Sequence, residues 1–182
     1  MALDNGPDSD PDAHRRDARL QELGLHNTAD DQLDAIAAEV AKQAADIAHI
    51  PYLPSSMLNW RTLNWQFFGG LHVANGVLGA ATAEDIPRYM ELEDGWCPKV
   101  VRRKKAYPLD DVRDSPRWVG TPVANALGVR SYLGAPVFDP DDESLVLGSV
   151  CVVDTEERQW GPEGLQLIKG ISVKITELIN RR

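Results

Sequence analysis

The sequence predicts an α+β domain in which N- and C-terminal helices pack on one face of a central, mainly antiparallel sheet. Three observations predict it. Apolar residues recur at helical spacing near both ends of the chain, in "TADDQLDAIAAEVAKQAADIAHI" and in the segment that starts at "GPEG". Between them lie runs of strand composition bounded by turn residues. The order of elements is mixed, with no strict alternation of strand and helix that would argue for a parallel sheet.

The elements follow in order. Residues 1–29 are rich in Asp, with Arg15, Arg16 and Arg19 among them and few large apolar residues. They read as an acidic extension, largely disordered, with a short helical piece around "RRDARLQELGL" ended by Gly24. The domain proper is expected over 30–182. Thr28 and Asp31 make a capping pattern for the first long helix, whose apolar stripe runs through Leu33, Ile36, Ala37, Val40, Ala41, Ala44 and Ile47 to a stop at Pro51. "SSMLNWRTLNWQFFGGLHV" reads as a hairpin, with residues 61–64 as its turn. Residues 74–95 form a long irregular stretch, of a length that in a compact domain marks a functional segment. A short helix at "WCPKVVRRKK" and an edge strand at "AYPLD", placed at an edge by Pro108, come next. Two strands, "VRSYLGAPVF" and "LVLGSVCVVD", are joined by the turn "DPDDES". The last helix opens with Pro162 in its first turn and carries Leu165, Ile168, Ile171, Ile175, Leu178 and Ile179 along a wide stripe.

Bulk properties narrow the function classes. At 182 residues the chain has the length of one domain and a tail. Its net charge of −9 lacks the basic footprint that nucleic-acid binding needs. Two cysteines far apart in sequence make no disulfide framework and suit a reducing compartment. The acidic N-terminus has no apolar core of a signal peptide, and no apolar run is long enough to cross a membrane, so the chain is expected to be cytoplasmic. No three Cys or His residues cluster as a zinc site would require, and neither a Gly-rich phosphate loop nor a GxSxG or HExxH motif is present.

The stretch "GVRSYLGAPV" at 128–137 raises a question of its own, because Gly134 interrupts a strand. Glycine weakens a strand unless something must approach the backbone closely. The expectation is a ligand or a covering loop that lies against Gly134, with Tyr132 offering a ring and a hydroxyl beside it, and the alternative is that Gly134 only relieves a kink in the strand.

These residues also carry a resemblance. Ser115-Pro116-Arg117-Trp118, then Gly128-Val129-Arg130-Ser131-Tyr132-Leu133-Gly134-Ala135-Pro136, then Leu147-Gly148-Ser149-Val150-Cys151-Val152-Val153-Asp154, resemble the second half of a GAF domain. "WCPKVV" and "QFFGGL" are similar to its preceding helix start and strand, so the likeness spans about 30–180. Ser115 departs from the family's usual Asp. The resemblance implies a PAS-like sheet with helices on one face and a ligand pocket on the other, lined here by Phe68, Trp96, Cys97, Trp118, Tyr132 and Gly134. Core packing would also account for each aromatic taken alone. It further implies a sensor that acts through a partner protein and pairs with a second copy through its terminal helices. The cyclic-nucleotide signature of some GAF domains is not apparent, and the residues after Cys97 and Cys151 are not those of bilin-attaching members. The reading is therefore of a regulatory domain that binds an unidentified small molecule, without cofactor or metal, and not an enzyme. Two alternatives accompany it: a ligand-free interaction module, and a thiol redox sensor through Cys97. Cys151 reads as a small apolar residue on a buried strand. The basic cluster at 102–105 reads as a solvated helix end.

Overall fold

A computed structural model describes residues 10–74, 86–114 and 128–182. Its helices are α1 (Ala13–Glu22), α2 (Asp31–Ala48), α3 (Cys97–Arg103) and α4 (Gly161–Asn180). Its strands are β1 (Ser55–Arg61), β2 (Gln66–His72), β3 (Tyr89–Met90), β4 (Tyr107–Leu109), β5 (Ser131–Asp139) and β6 (Asp142–Asp154). The strands form one antiparallel sheet in the order β3-β2-β1-β6-β5-β4. The architecture is the α+β sheet expected, with the Pro108 strand at an edge.

Both faces of the sheet are covered, which is why β1, β2, β5 and β6 read as nearly unbroken buried runs. Successive side chains on a strand point to opposite faces. One face carries Leu58, Trp60, Phe67, Leu133, Ala135, Val137, Val150 and Val152, packed against Leu33, Ala37, Val40 and Ala44 of α2 and Ile168, Ile171, Ile175 and Ile179 of α4. The other carries Met57, Phe68, Leu71, Tyr132, Cys151 and Val153 under Trp96, Cys97 and Val100. The helix α2 sits so close to β2 that a Cβ on Gly70 would stand 2.8 Å from the Leu33 carbonyl carbon. Asp34 of α2 fastens this contact, accepting from the Leu71 N–H at 2.8 Å and pairing with Arg88 at 2.7 Å.

Two details differ from the sequence expectation. The cap of α2 is Asp30, whose carboxylate accepts from the N–H groups of Gln32 and Leu33. Thr28 instead donates to the His26 carbonyl. The helix ends at His49 in a left-handed conformation, two residues before Pro51. The second difference concerns the segment before residue 30. Residues 1–9 lie outside the described residues, but from Asp10 onward the segment is built into the domain. Leu20 is fully buried in the helix-side core, and Arg16 is buried as well. Arg16 Nε donates to the Val146 carbonyl at 2.6 Å, and Nη1 reaches Asp10 at 2.8 Å. Arg19 pairs with Asp139 at 2.7 Å. The arginines that made this segment look like a solvated lead-in are the groups that anchor it.

Candidate functional site

The short helix α3 places its first residues over the sheet face opposite α2 and α4. Trp96 and Cys97 are buried there, at 2% and 6% exposure. From below, β5 raises Tyr132 and β6 raises Cys151, both about 1% exposed. Trp96 and Tyr132 pack with ring centroids 5.5 Å apart at 41°. The Tyr132 hydroxyl lies 3.4 Å from Cys97 Sγ, and Cys151 Sγ lies 3.7 Å from it. Phe68 of β2 belongs to the same buried cluster. Four of the expected site residues, Phe68, Trp96, Cys97 and Tyr132, therefore meet on one face. Trp118 and residues 75–85 of the irregular stretch lie outside the described residues. The part of that stretch from Ile86 onward docks on the sheet edge, where the Phe68 N–H donates to the Arg88 carbonyl at 2.8 Å.

Gly134 lies under the domain's own side chain. It pairs with Cys151 across the ladder and sits two residues from Tyr132 on the same face. A Cβ there would stand 2.6 Å from Tyr132 Cζ and 2.9 Å from Cε1. The glycine makes room for the domain's own phenol ring, which leans over it toward Cys97.

The middle of this face is polar. Asn59 of β1, paired with Ser149 of β6, is 2% exposed in a strand otherwise apolar there. Its Nδ2 donates to Gln66 Oε1 at 2.7 Å, while Gln66 donates to the carbonyls of Glu91 and Asp94 at 2.6 and 2.9 Å. Asn59 Oδ1 is buried and has no donor among the described residues. These groups govern the thiols. Hydrogen bonding from Cys151 lowers the Cys97 pKa to about 6; Ser149, Tyr132 and Asn59 add to it and together overcome burial. Cys151 moves the other way: its hydrogen bond to Cys97, burial and the Cys97 charge all push it up. Burial and the neighbouring sulfur charges also raise Tyr132. The two shifts run in opposite directions, so Cys97 is the thiol of the pair that gives up its proton first.

Asn59, Ser149 and the proximity of Cys151 escaped the sequence reading. The alternation of Ser149, Cys151 and Val153 was available to place them on one face, and an Asn between Leu58 and Trp60 was a visible anomaly. The basic cluster at 102–105 is not simply solvated: Arg102 pairs with Glu93, and Lys104 with the Ser144 carbonyl and, at 3.3 Å, with Asp12. Among the described residues, no group of three or more His, Cys, Asp or Glu could hold a metal ion, and no helix is long and apolar enough to cross a membrane.

Comparison with known proteins places this geometry. The family model for the GAF domain matches residues 28–176. A search of curated proteins gives no match. Among solved structures, the GAF domain of an Acinetobacter phosphoenolpyruvate-protein phosphotransferase is similar over 94% of this chain and 95% of its own, at 14% identity and a TM-score of 0.57. The blue-light absorbing form of the PixJ GAF domain from Thermosynechococcus elongatus is similar over 81% and 87%, at 16% identity and a TM-score of 0.55. A type II free methionine-R-sulfoxide reductase from Thermoplasma acidophilum is similar over 83% and 94%, at 12% identity and a TM-score of 0.58. At these identities the likeness is one of fold. The last neighbour nevertheless corrects the expectation that this chain is not an enzyme, because the same fold carries catalysis. That expectation leaned on the absence of GxSxG and HExxH motifs, and catalysis does not require either.

Proposed function

The chain belongs to the GAF domain family, and on that premise we propose that it is a sensor whose α3-covered sheet face takes up a small molecule. GAF domains are generally sensor or ligand-binding regulatory domains. The observation that carries the reading is the buried Asn59 Oδ1, an acceptor without a donor amid Phe68, Trp96 and Tyr132. Apolar surroundings with a few convergent polar groups are how small-ligand sites are built. The matching guest has a flat apolar body and one hydrogen-bond donor for Asn59. A thermal-shift panel of small aromatic compounds, some with and some without an N–H or O–H donor, tests this, since a ligand of the native state raises the melting temperature by mass action. Donor-bearing compounds should stabilise the wild type and not Asn59→Leu. A panel that leaves the wild type unmoved, or shifts both proteins alike, defeats the reading.

A second copy is the proposed partner through the terminal helices. Val173 on α4 is 58% exposed, and it flanks a groove of about 790 Å³ shared with Phe138, Pro136 and Ala106. Lys169 and Glu177 stand four residues to either side of Val173. Antiparallel pairing of α4 about a two-fold axis at Val173 sets each Lys169 against the other copy's Glu177. Sedimentation of the wild type and of Val173→Glu reads this directly: dimer for the first and monomer for the second, whereas a monomeric wild type refutes it.

A further inference from the structure

The two cysteines stand in an arrangement that ligand binding does not use. Cys97 and Cys151 come from different elements, 54 residues apart, and their sulfurs touch at 3.7 Å in a closed cluster. Neither is in a disulfide, and both are buried. They differ in the way a reacting pair differs. The Tyr132 hydroxyl and Cys151 Sγ lie 3.4 and 3.7 Å from Cys97 Sγ, and the pKa values of the two thiols are pushed apart, Cys97 down and Cys151 up. The thiolate is the form that attacks a peroxide, and an adjacent thiol resolves the product once its own proton passes to the leaving hydroxide.

We propose that Cys97 and Cys151 are a redox site that hydrogen peroxide or a small hydroperoxide converts to an intramolecular disulfide. The Cys97 sulfur attacks a peroxide oxygen; the O–O bond breaks, Cys97 becomes a sulfenic acid, and the proton that Cys97 gave up leaves with the departing hydroxide as water. The Cys151 sulfur then attacks the sulfenyl sulfur; the S–S bond forms, the S–O bond breaks, and the second hydroxide leaves with the Cys151 proton as a second water. Each sulfur gives up one electron, and the peroxide takes both. The 3.7 Å contact must contract to the covalent distance of about 2.05 Å. That contraction draws the start of α3 onto β6 and moves Cys97 relative to Tyr132, its hydrogen-bond partner, so the oxidised and reduced domains differ in the face proposed to bind ligand. The redox step itself does not depend on that proposal.

The test uses the full chain. Purified reduced protein is treated with hydrogen peroxide, quenched, denatured and alkylated, and its intact mass and proteolytic peptides are read. The expected product has lost two hydrogens, takes no alkyl label, yields a linked Cys97–Cys151 peptide, and regains both labels after dithiothreitol. Two labels after treatment, a single label with Cys97 as sulfinic or sulfonic acid, or a disulfide between chains each overturn the proposal. The variant Cys151→Ser separates the steps: dimedone should trap a sulfenic acid on Cys97 in the variant but leave the wild type almost unlabelled. Equal trapping in both overturns the role of Cys151. If Cys151→Ser does not fold, the wild-type mass alone decides.

Discussion

Replacing Gly134 with alanine separates two accounts of the site sharply. Gly134 lies in an extended strand and has no positive φ, so alanine meets no backbone strain there. On an open face the substitution would stabilise by roughly 0.5–1 kcal/mol, because glycine loses more freedom on folding. The structure predicts the opposite sign. The new methyl would meet the Tyr132 hydroxyl oxygen first and stand 2.6 Å from Cζ, so the ring must withdraw by at least about 0.8 Å to reach the 3.4 Å at which ordinary contact begins. The ring has nowhere to go, since Tyr132 is 1% exposed and packed on Trp96 and Cys97. Overpacking of this kind costs roughly 1–3 kcal/mol. Urea titration measures it, as a lower midpoint at unchanged slope. Combining Gly134→Ala with Tyr132→Leu should give a stability loss smaller than the sum of the two single losses, by at least about 0.5 kcal/mol, because the clash goes with the ring. Tyr132→Phe should rescue part of the loss, since the nearest atom, the hydroxyl, goes while Cζ remains. A Gly134→Ala protein as stable as the wild type, or additive with Tyr132→Leu, would refute the packing account and return Gly134 to the role of a ligand contact.

Other outcomes follow from the buried charges. Arg16→Ala leaves the Val146 carbonyl without its buried donor and the Asp10 carboxylate with only the longer Arg61 contact, and should cost roughly 1–3 kcal/mol by urea titration; a change under about 0.5 kcal/mol, typical of surface sites, would mean α1 is an appendage after all. Burial works to raise the Asp10 carboxyl, but the hydrogen bond and charge of Arg16, the Asp12 N–H and the Arg61 charge hold it below the ordinary range. Its stabilising contribution is therefore present above about pH 4 and lost as pH falls through the lower native value. The acid-side fall in urea midpoint should be shallower in Asp10→Asn, and identical slopes would contradict this. Burial lowers the His72 pKa, and its buried Nε2 has no partner among the described residues. The unfolded chain then binds the proton more readily, so this contribution is full above about pH 6.5 and declines below it. His72→Gln should lose less stability than the wild type between pH 7 and pH 5, and an equal loss would exclude His72 as the source.

The sheet and its flanking helices were legible because apolar period and turn chemistry are local signals. "SSMLNW" and "QFFGGL" announce a hairpin, and Pro108 announces an edge, without reference to any distant residue. What was not legible depends on contacts that local patterns do not carry. Asp30 rather than Thr28 caps α2 because of where the chain bends after Asn27, a residue with φ of 52°. Arg16 reads as a surface residue until the Val146 carbonyl, 130 residues away, is seen to receive it. Of the site, Phe68, Trp96, Cys97 and Tyr132 were reached through resemblance, whereas the reason for Gly134 was missed because a sequence does not say which side chain covers a glycine. Cys151 read as filler because its partner arrives from α3, an element whose path across the sheet no spacing specifies.

The same contacts explain how an event at this face reaches the rest of the domain. Asn59 is tied through Gln66 to the carbonyls of Glu91 and Asp94, in the turn that leads into α3. Arg61, next on that side of β1, donates to the Leu92 carbonyl at 2.6 Å and pairs with Glu93 at 2.7 Å. It also touches Asp10, which holds Arg16 of α1. Hydrogen bonds and ion pairs thus tie Asn59 and Arg61 of β1 to the turn at 91–94, and Arg61 onward to the first helix. A line of contacts becomes coupling only when one of its members has two arrangements of different energy. Cys97 supplies such a member, because α3 cannot hold the same seat with its sulfur at contact distance from Cys151 and at bond distance from it. A packed core needs no amide at position 59, where an unsatisfied acceptor costs about 1–3 kcal/mol and valine would fill the strand. The amide therefore serves something other than packing: its Oδ1 is the acceptor proposed for a ligand, and its Nδ2 ties β1 through Gln66 to the turn before α3.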